Sequence, residues 1–294
     1  MSWPSIKTSL KTRDGTSNAE NHEKTVYNLT AVHVRFVASG LPEIGQLWRS
    51  DPQAQKAGDL RIMQYNIRYG VGIDGVYNIY RLISVLKNAD ADIIILNEAD
   101  KYYSDRSNNM YMGEYIAKQL GMNFVHRSSI IIPAPPAPDR EVGNVVLTKE
   151  KVEHVETKFF SIGDKWPRVI TKSRIELEDG RVVYVGMTHF GLTEQGRLVQ
   201  AQETIDFMAD VDDYPVLIAG DFNDNPASRT IAIMRSKYTD AFASKPGANT
   251  FPASNPASRI DYIWGNDRIT FRDNGRVIET EASDHRPIII DVSF

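Results

Sequence analysis

The 294-residue chain contains no cysteine. That excludes disulfide scaffolds, thiol nucleophiles and thiolate zinc sites, and leaves any metal chemistry to oxygen and imidazole ligands. Long apolar runs are also missing, and no stretch approaches the ~20 residues that a spanning helix needs. The opening Met1-Ser-Trp-Pro-Ser-Ile-Lys lacks the basic start and apolar block of a secretion signal, so a soluble chain without a signal peptide is expected. Neither sign of charge dominates: 34 Lys and Arg stand against 38 Asp and Glu, for a net charge of -4. With no basic run, nothing global draws the chain to nucleic acid or an anionic membrane, so any phosphate binding has to be local. No internal repeat is visible.

What is present suffices for one large core, with 41% hydrophobic and 24% charged residues. Residues 1–58 stand apart as an arm of unassigned role. They are polar and aperiodic to about Lys24, after which Val32, Val34 and Phe36 alternate with His33 and Arg35 and predict one strand. Residues 59–294 read as a single α/β domain. Leu60–Tyr65 predicts a strand, Ile79, Leu82, Ile83 and Leu86 recur at helical spacing, and Asp92–Leu96 predicts a second buried strand. Helices are predicted over Met110–Leu120, closed by Gly121, and along Leu198, Ala201, Ile205 and Met208. Gly143–Leu147, Arg168–Leu177 and Arg181–Met187 predict strands, the last two joined at Glu178-Asp-Gly180 as a hairpin, so the sheet must be mixed. Two irregular loops, 133–138 and 244–258, are expected to flank a cleft.

Each apolar run hands off to polar residues: Asn66, Asn97-Glu98, Thr188-His189 and, after Val216–Ala219, Gly220-Asp-Phe-Asn223. The last segment suits an ordinary turn as well as a site. The final strand from Pro287 is instead preceded by Ser283-Asp-His285, and Asp261 lies inside the apolar Arg259-Ile-Asp-Tyr-Ile263. If the final strand runs antiparallel to the parallel pair, all these groups meet at one edge. Carboxylates gathered that closely repel unless a cation sits among them. An oxygen-rich set without cysteine favours Mg²⁺ or Mn²⁺, with Ca²⁺ as the alternative and zinc the poorer match.

Tyr65-Asn66-Ile67, Asn97-Glu98, Gly143-Asn144, Thr188-His189-Phe190, Gly220-Asp-Phe-Asn223, Arg259-Ile-Asp-Tyr262 and Ser283-Asp-His-Arg-Pro287 resemble, in that order, the motifs of the endonuclease/exonuclease/phosphatase superfamily, the fold of deoxyribonuclease I. The resemblance implies a four-layer sandwich of two mixed β-sheets flanked by helices, a divalent ion, and phosphoester hydrolysis. It makes Glu98 with Asn66 the primary metal ligands and Asp284 a ligand for a second or shared ion. Asp221 orients or deprotonates the attacking water, and Asn223 holds the scissile phosphate. Asp261 fixes the His285 imidazolium against the transition state, and His189 contacts phosphate or protonates the leaving oxygen. Between Asp221 and His285, Asp221 is the favoured base.

Asn144, Arg106, Arg168 and Arg259 are the candidate substrate contacts. Phe251 and Trp166 suit either stacking on substrate or the core. No cysteine precedes Asp261, unlike the Trp-Cys-Asp-Arg segment of inositol polyphosphate 5-phosphatases, which disfavours that class. The expected substrate is nucleic acid, cleaved by a monomer; the alternative is a sphingomyelinase-like or other small phosphoester hydrolase. A non-catalytic binding module is disfavoured because no catalytic position is visibly lost.

Overall fold

The computed structural model describes residues 59–294, and the arm 1–58, with the strand expected around Val32–Phe36, lies outside the described residues. The described chain builds two sheets. The first is seven-stranded and contains β1 (Leu60–Asn66), β2 (Ile93–Lys101), β3 (Asn123–Ile132), β4 (Arg140–Thr148), β11 (Thr270–Phe271), β12 (Arg276–Val277) and β13 (Ile288–Ser293). The second is six-stranded and contains β5 (Lys151–Phe159), β6 (Val169–Glu176), β7 (Val182–His189), β8 (Val216–Asp221), β9 (Thr239–Asp240) and β10 (Asp261–Gly265). Strand order is β11-β13-β1-β2-β4-β3 in the first, with β12 also on β13, and β5-β6-β7-β8-β10-β9 in the second. Both are mixed: β1 is parallel to β2 and β7 to β8, and the remaining pairs are antiparallel.

The apolar runs are continuous because both faces of the central strands are covered, so alternation sorts residues between two cores. Ile62, Ile93, Ile95, Val185, Leu217, Ala219, Ile263 and Ile290 meet in the core shared by the sheets. Met63, Ile94, Leu96 and Leu147 point outward onto helices α1 (Ile79–Ala89) and α2 (Met112–Leu120). Ile170, Val216, Ile218 and Trp264 point onto α3 (Glu194–Met208) and α4 (Arg229–Arg235). The result is the four-layer α/β sandwich that the family resemblance implies. Each core aliphatic contributes ~1.5–3 kcal/mol, and truncation to alanine costs about 2–5 kcal/mol.

Local signals set the helix bounds. The Asn78 side chain accepts from Arg81 N at 3.0 Å and starts α1, while Thr193 Oγ1 caps α3 through Gly196 N. Gly121, at φ +67°, ends α2 in the left-handed region that glycine adopts without strain. Strands β3 and β5 and helix α4 add to the predicted elements.

Candidate active site

The register delivers the polar groups to one end of the sandwich. Asn66, the last residue of β1, is the parallel partner of Asn97 within β2, and β13 runs antiparallel to β1, so Ser283-Asp284-His285 enters at the same edge. Ser283 Oγ donates to Asn66 O at 2.7 Å and pins that segment. In the second sheet, Asp221 pairs in register with His189 on one side and Asp261 on the other. The β2–β4 register shifts between Leu96 and Ala99, and Glu98 within that bulge adopts φ +59°. Such a bulge re-aims a side chain out of the pleat, here into the cleft. Asn223 (φ +51°), Arg68 (φ +42°) and Tyr69 (φ +43°) share this left-handed backbone, whose cost of about 1–3 kcal/mol each the surrounding packing must offset.

Asn97 joins the two sheets. Its Nδ2 donates to Asn144 Oδ1 at 2.9 Å and to Thr188 O at 2.8 Å. Its Oδ1 accepts from Gln64 Nε2 and from Asp221 N, both at 2.9 Å. Gln64 Nε2 also donates to Asp261 Oδ1 at 3.0 Å, and Asp261 Oδ2 lies 2.9 Å from His285 Nδ1. On the far side of that imidazole, His285 Nε2 is 3.7 Å from Asp221 Oδ2, and His189 Nε2 is 3.6 Å from the same oxygen. Asn66 Nδ2 bridges Asp221 Oδ2 and Glu98 Oε1, each at 3.1 Å. Asn223 N donates to Asp221 Oδ1 at 2.8 Å, and its side-chain amide donates to Phe190 O at 3.0 Å.

These contacts divide the charge. Burial works against a protonated His285, but Asp261, through charge and hydrogen bond, together with Asp221 and Asp284, outweighs it and lifts the pKa to about 10. Burial, with Asp261 adding repulsion, pushes Asp221 up to about 7, against the pull of His285, the Asn223 amide and Asn66. Burial, with Arg168 and His285 as like charges, holds His189 well below the ordinary histidine range. The site therefore contains one imidazolium, one neutral imidazole and a carboxyl poised near neutrality.

Asp221, Asp261 and His285 place one ligand atom each within 4.8 Å of one another. Their mutual charge is already compensated, because Asp261 receives Gln64 and His285 and the imidazole is a cation, so this triplet is a poor metal cage. Glu98 with Asn66 is the better oxygen donor set for a hard ion that keeps most of its waters. Asp284 is turned toward Arg68, with Oδ2 3.4 Å from Arg68 Nε, and does not line the cavity.

A cavity of about 300 Å³ opens over these groups, with Glu98, Asp221, Asn223, His189, His285 and Asn144 on its wall. Tyr69, Tyr103, Arg106, Trp166, Arg168 and Leu192 complete its rim. Arg106 lines the cavity but is committed: Nε and Nη2 bond Asp100 at 2.9 and 2.6 Å, and its guanidinium lies 3.8 Å from the Tyr69 ring centroid and 4.1 Å from that of Tyr103. Arg168 lines the cavity with its Nε buried and unbonded.

Arg259 corrects its expected place. It is buried, bonds Asp240 bidentately at 2.8 and 2.7 Å, stacks on Tyr262 and faces a different cavity, so its role is to neutralise a buried carboxylate. The loop 133–138 likewise stays off the cavity, whose hairpin wall is Ser129, Ile130, Val142 and Gly143. From the loop 244–258, Phe251 packs on His285 with ring centroids 4.9 Å apart. Trp166 is 41% exposed at the rim, outside the core. Sequence reasoning missed Gln64 and the bridging role of Asn97; a glutamine inside the apolar Leu60-Arg-Ile-Met-Gln-Tyr65 was the available signal.

A profile of the Endonuclease/Exonuclease/phosphatase family matches residues 63–285. The chain belongs to that family. Its members are hydrolases acting on phosphoester bonds. The chain is similar to the uncharacterised protein YbhP of Escherichia coli, at 23% identity over 82% of this chain and 99% of that protein. Among solved structures, it is similar to a family member from Beutenbergia cavernae (TM-score 0.67, 21% identity, 80% of this chain and 72% of that one). It is also similar to the human nocturnin catalytic domain with bound sulfate (TM-score 0.61, 19% identity, 81% of this chain and 94% of that one). Among the described residues, no helix is long and apolar enough to cross a membrane.

Proposed function

We propose that the protein is a divalent-metal-dependent phosphodiester hydrolase acting on nucleic acid. The observation that carries this reading is the Asp261–His285 pair, with its cation directed at Asp221 across a cavity that also presents Glu98. Glu98 and Asn66 would hold the ion, Mg²⁺ or Mn²⁺, which when bound would offset phosphate charge and lower the pKa of water. Asp221, held by Asn66 and the Asn223 amide, takes the proton from the attacking water. A carboxyl lifted to about 7 is a stronger base than an ordinary one, which matches that role. His285, with Nδ1 engaged by Asp261, presents Nε2–H to the charge that develops on phosphate, and Asp261 keeps that cation fixed during the reaction. His189 is neutral and offers phosphate or the leaving oxygen a hydrogen bond.

The tyrosine and tryptophan walls suit stacking of a base beside the scissile phosphate. One observation favours the second reading, a lipid headgroup or other small phosphoester: Trp166 and Leu192, 41% and 68% exposed, stand together at the cavity mouth. A side-by-side panel of plasmid, single-stranded DNA, RNA, sphingomyelin micelles and small phosphate esters decides between them, with Asp221→Asn as the contamination control. Cleavage of nucleic acid that vanishes with chelator, returns with Mg²⁺ and is absent from the mutant is the expected result. Activity that survives chelation overturns the metal mechanism, and turnover confined to lipid or small esters overturns the substrate.

A further inference from the structure

The arginines around the cavity differ in what they are bonded to. Arg106 is occupied by Asp100, and Arg197, behind the next loop, by Asp224 at 3.0 Å. Arg168 is the exception. It immediately precedes β6, lines the cavity, and has its Nε shut off from solvent with no hydrogen-bond partner. The carboxylates whose fields reach it are Asp221, Asp164 and Glu98. Each is engaged elsewhere. Glu98 and Asp221 bond Asn66, and Asp164 bonds the backbone N–H of Leu192 and Thr193 and the Thr193 hydroxyl. Those Asp164 bonds also fasten the Trp166-Pro167-Arg168 loop to the segment that follows His189, which fixes Arg168 relative to the reacting groups.

A guanidinium in this position is expensive. Burial disfavours its charge, and buried charges in folded proteins are normally paired. Its fork of donors matches two oxygens of a phosphate. We propose that Arg168 is the anion anchor of the cavity: its guanidinium takes non-bridging oxygens of the substrate phosphate in the ground state, before the chemical step. The proposal rests on the phosphoesterase reading and assigns the group that confers affinity, as distinct from the groups that confer rate.

Inorganic phosphate, with chelator present to remove any metal contribution, is the probe. Wild-type protein should show a saturable rise in melting temperature with phosphate. Arg168→Met should abolish that rise and melt, without phosphate, no lower than wild type, because it removes an uncompensated cation. Arg168→Lys should keep a weaker response. In turnover, Arg168→Met should raise KM about 10- to 100-fold, the range for a charged hydrogen bond, with kcat changed much less. An unchanged phosphate response in Arg168→Met, or a lower melting temperature without phosphate, shows a structural arginine and overturns the proposal. Absence of any phosphate response in wild type also overturns it, while leaving metal-dependent hydrolysis to be judged by the substrate panel.

Discussion

Replacing Asn97 by alanine removes a side chain that, like Gln64 and Asn66, bonds both sheets at the site. Four hydrogen bonds disappear, to Asn144 Oδ1, Thr188 O, Gln64 Nε2 and Asp221 N, at a fully buried position. At about 1 kcal/mol net for each bond, with up to ~3 kcal/mol for a buried partner left unsatisfied, the loss is about 4–6 kcal/mol. That is a large part of the ~5–15 kcal/mol that holds a domain together. Asp221 also loses the bond that fixes its backbone, and misplacement of a reacting group by ~1 Å costs about a hundredfold in rate. Urea unfolding followed by tryptophan fluorescence, and turnover at a temperature where the variant is folded, measure the two effects. A variant with Asn144→Ala added should lose less than the sum of the singles, since Asn144 has already lost its partner. Destabilisation below about 1 kcal/mol, with a wild-type rate, refutes the view that Asn97 organises the site.

His285 has a folded pKa of about 10, above its ordinary 6.5, so its stabilisation is complete below about pH 6.5 and is lost as pH rises through about 10. Asp261→Asn should flatten that alkaline decline, lower the His285 titration seen by NMR, and cut the rate at pH 8 by about 10- to 100-fold; an unchanged titration refutes the pairing. His126 behaves oppositely: burial lowers it to about 4, so the unfolded chain binds the proton first and stability falls as pH drops from about 6.5 to about 4. At 1.36 kcal/mol per pH unit this is about 3 kcal/mol, and His126→Gln should make the acid limb of the stability curve shallower. Arg259→Met should cost about 3–5 kcal/mol by leaving buried Asp240 with weaker compensation. KM should stay near wild type in the folded variant; a raised KM would return Arg259 to the substrate.

The site was legible wherever a polar residue interrupted or ended an apolar run. Asn66, Glu98, His189, Asp221 and Asp261 stand at such places, and the antiparallel course of β13 brings His285 to them. Elements buried on both sides, such as β2 and β8, announced themselves by the unbroken apolar runs Ile93–Leu96 and Val216–Ala219. The edge strand β5, Lys151-Val-Glu-His-Val-Glu-Thr-Lys-Phe159, did not, because its side chains are mostly solvated and its charges mimic a loop. Helix α4 spans only seven residues, too few for a periodic signal. Arg259 misled because proximity to Asp261 in sequence says nothing of Asp240, nineteen residues away and in bidentate reach. Gln64 interrupted its run in the same way, but its role was not legible because its partner Asp261 lies on the other sheet and meets it only when the sheets face each other.

The two sheets each carry part of the reaction centre, with Asn66, Glu98 and His285 arriving from one and His189, Asp221 and Asp261 from the other. Neither half can act alone. A partly folded chain with one sheet formed would have secondary structure yet no paired imidazole and no basic carboxyl opposite Glu98. Catalysis is therefore a switch thrown by the docking of the halves: recovery of turnover during refolding should lag the return of β-sheet signal and coincide with burial of the inter-sheet core.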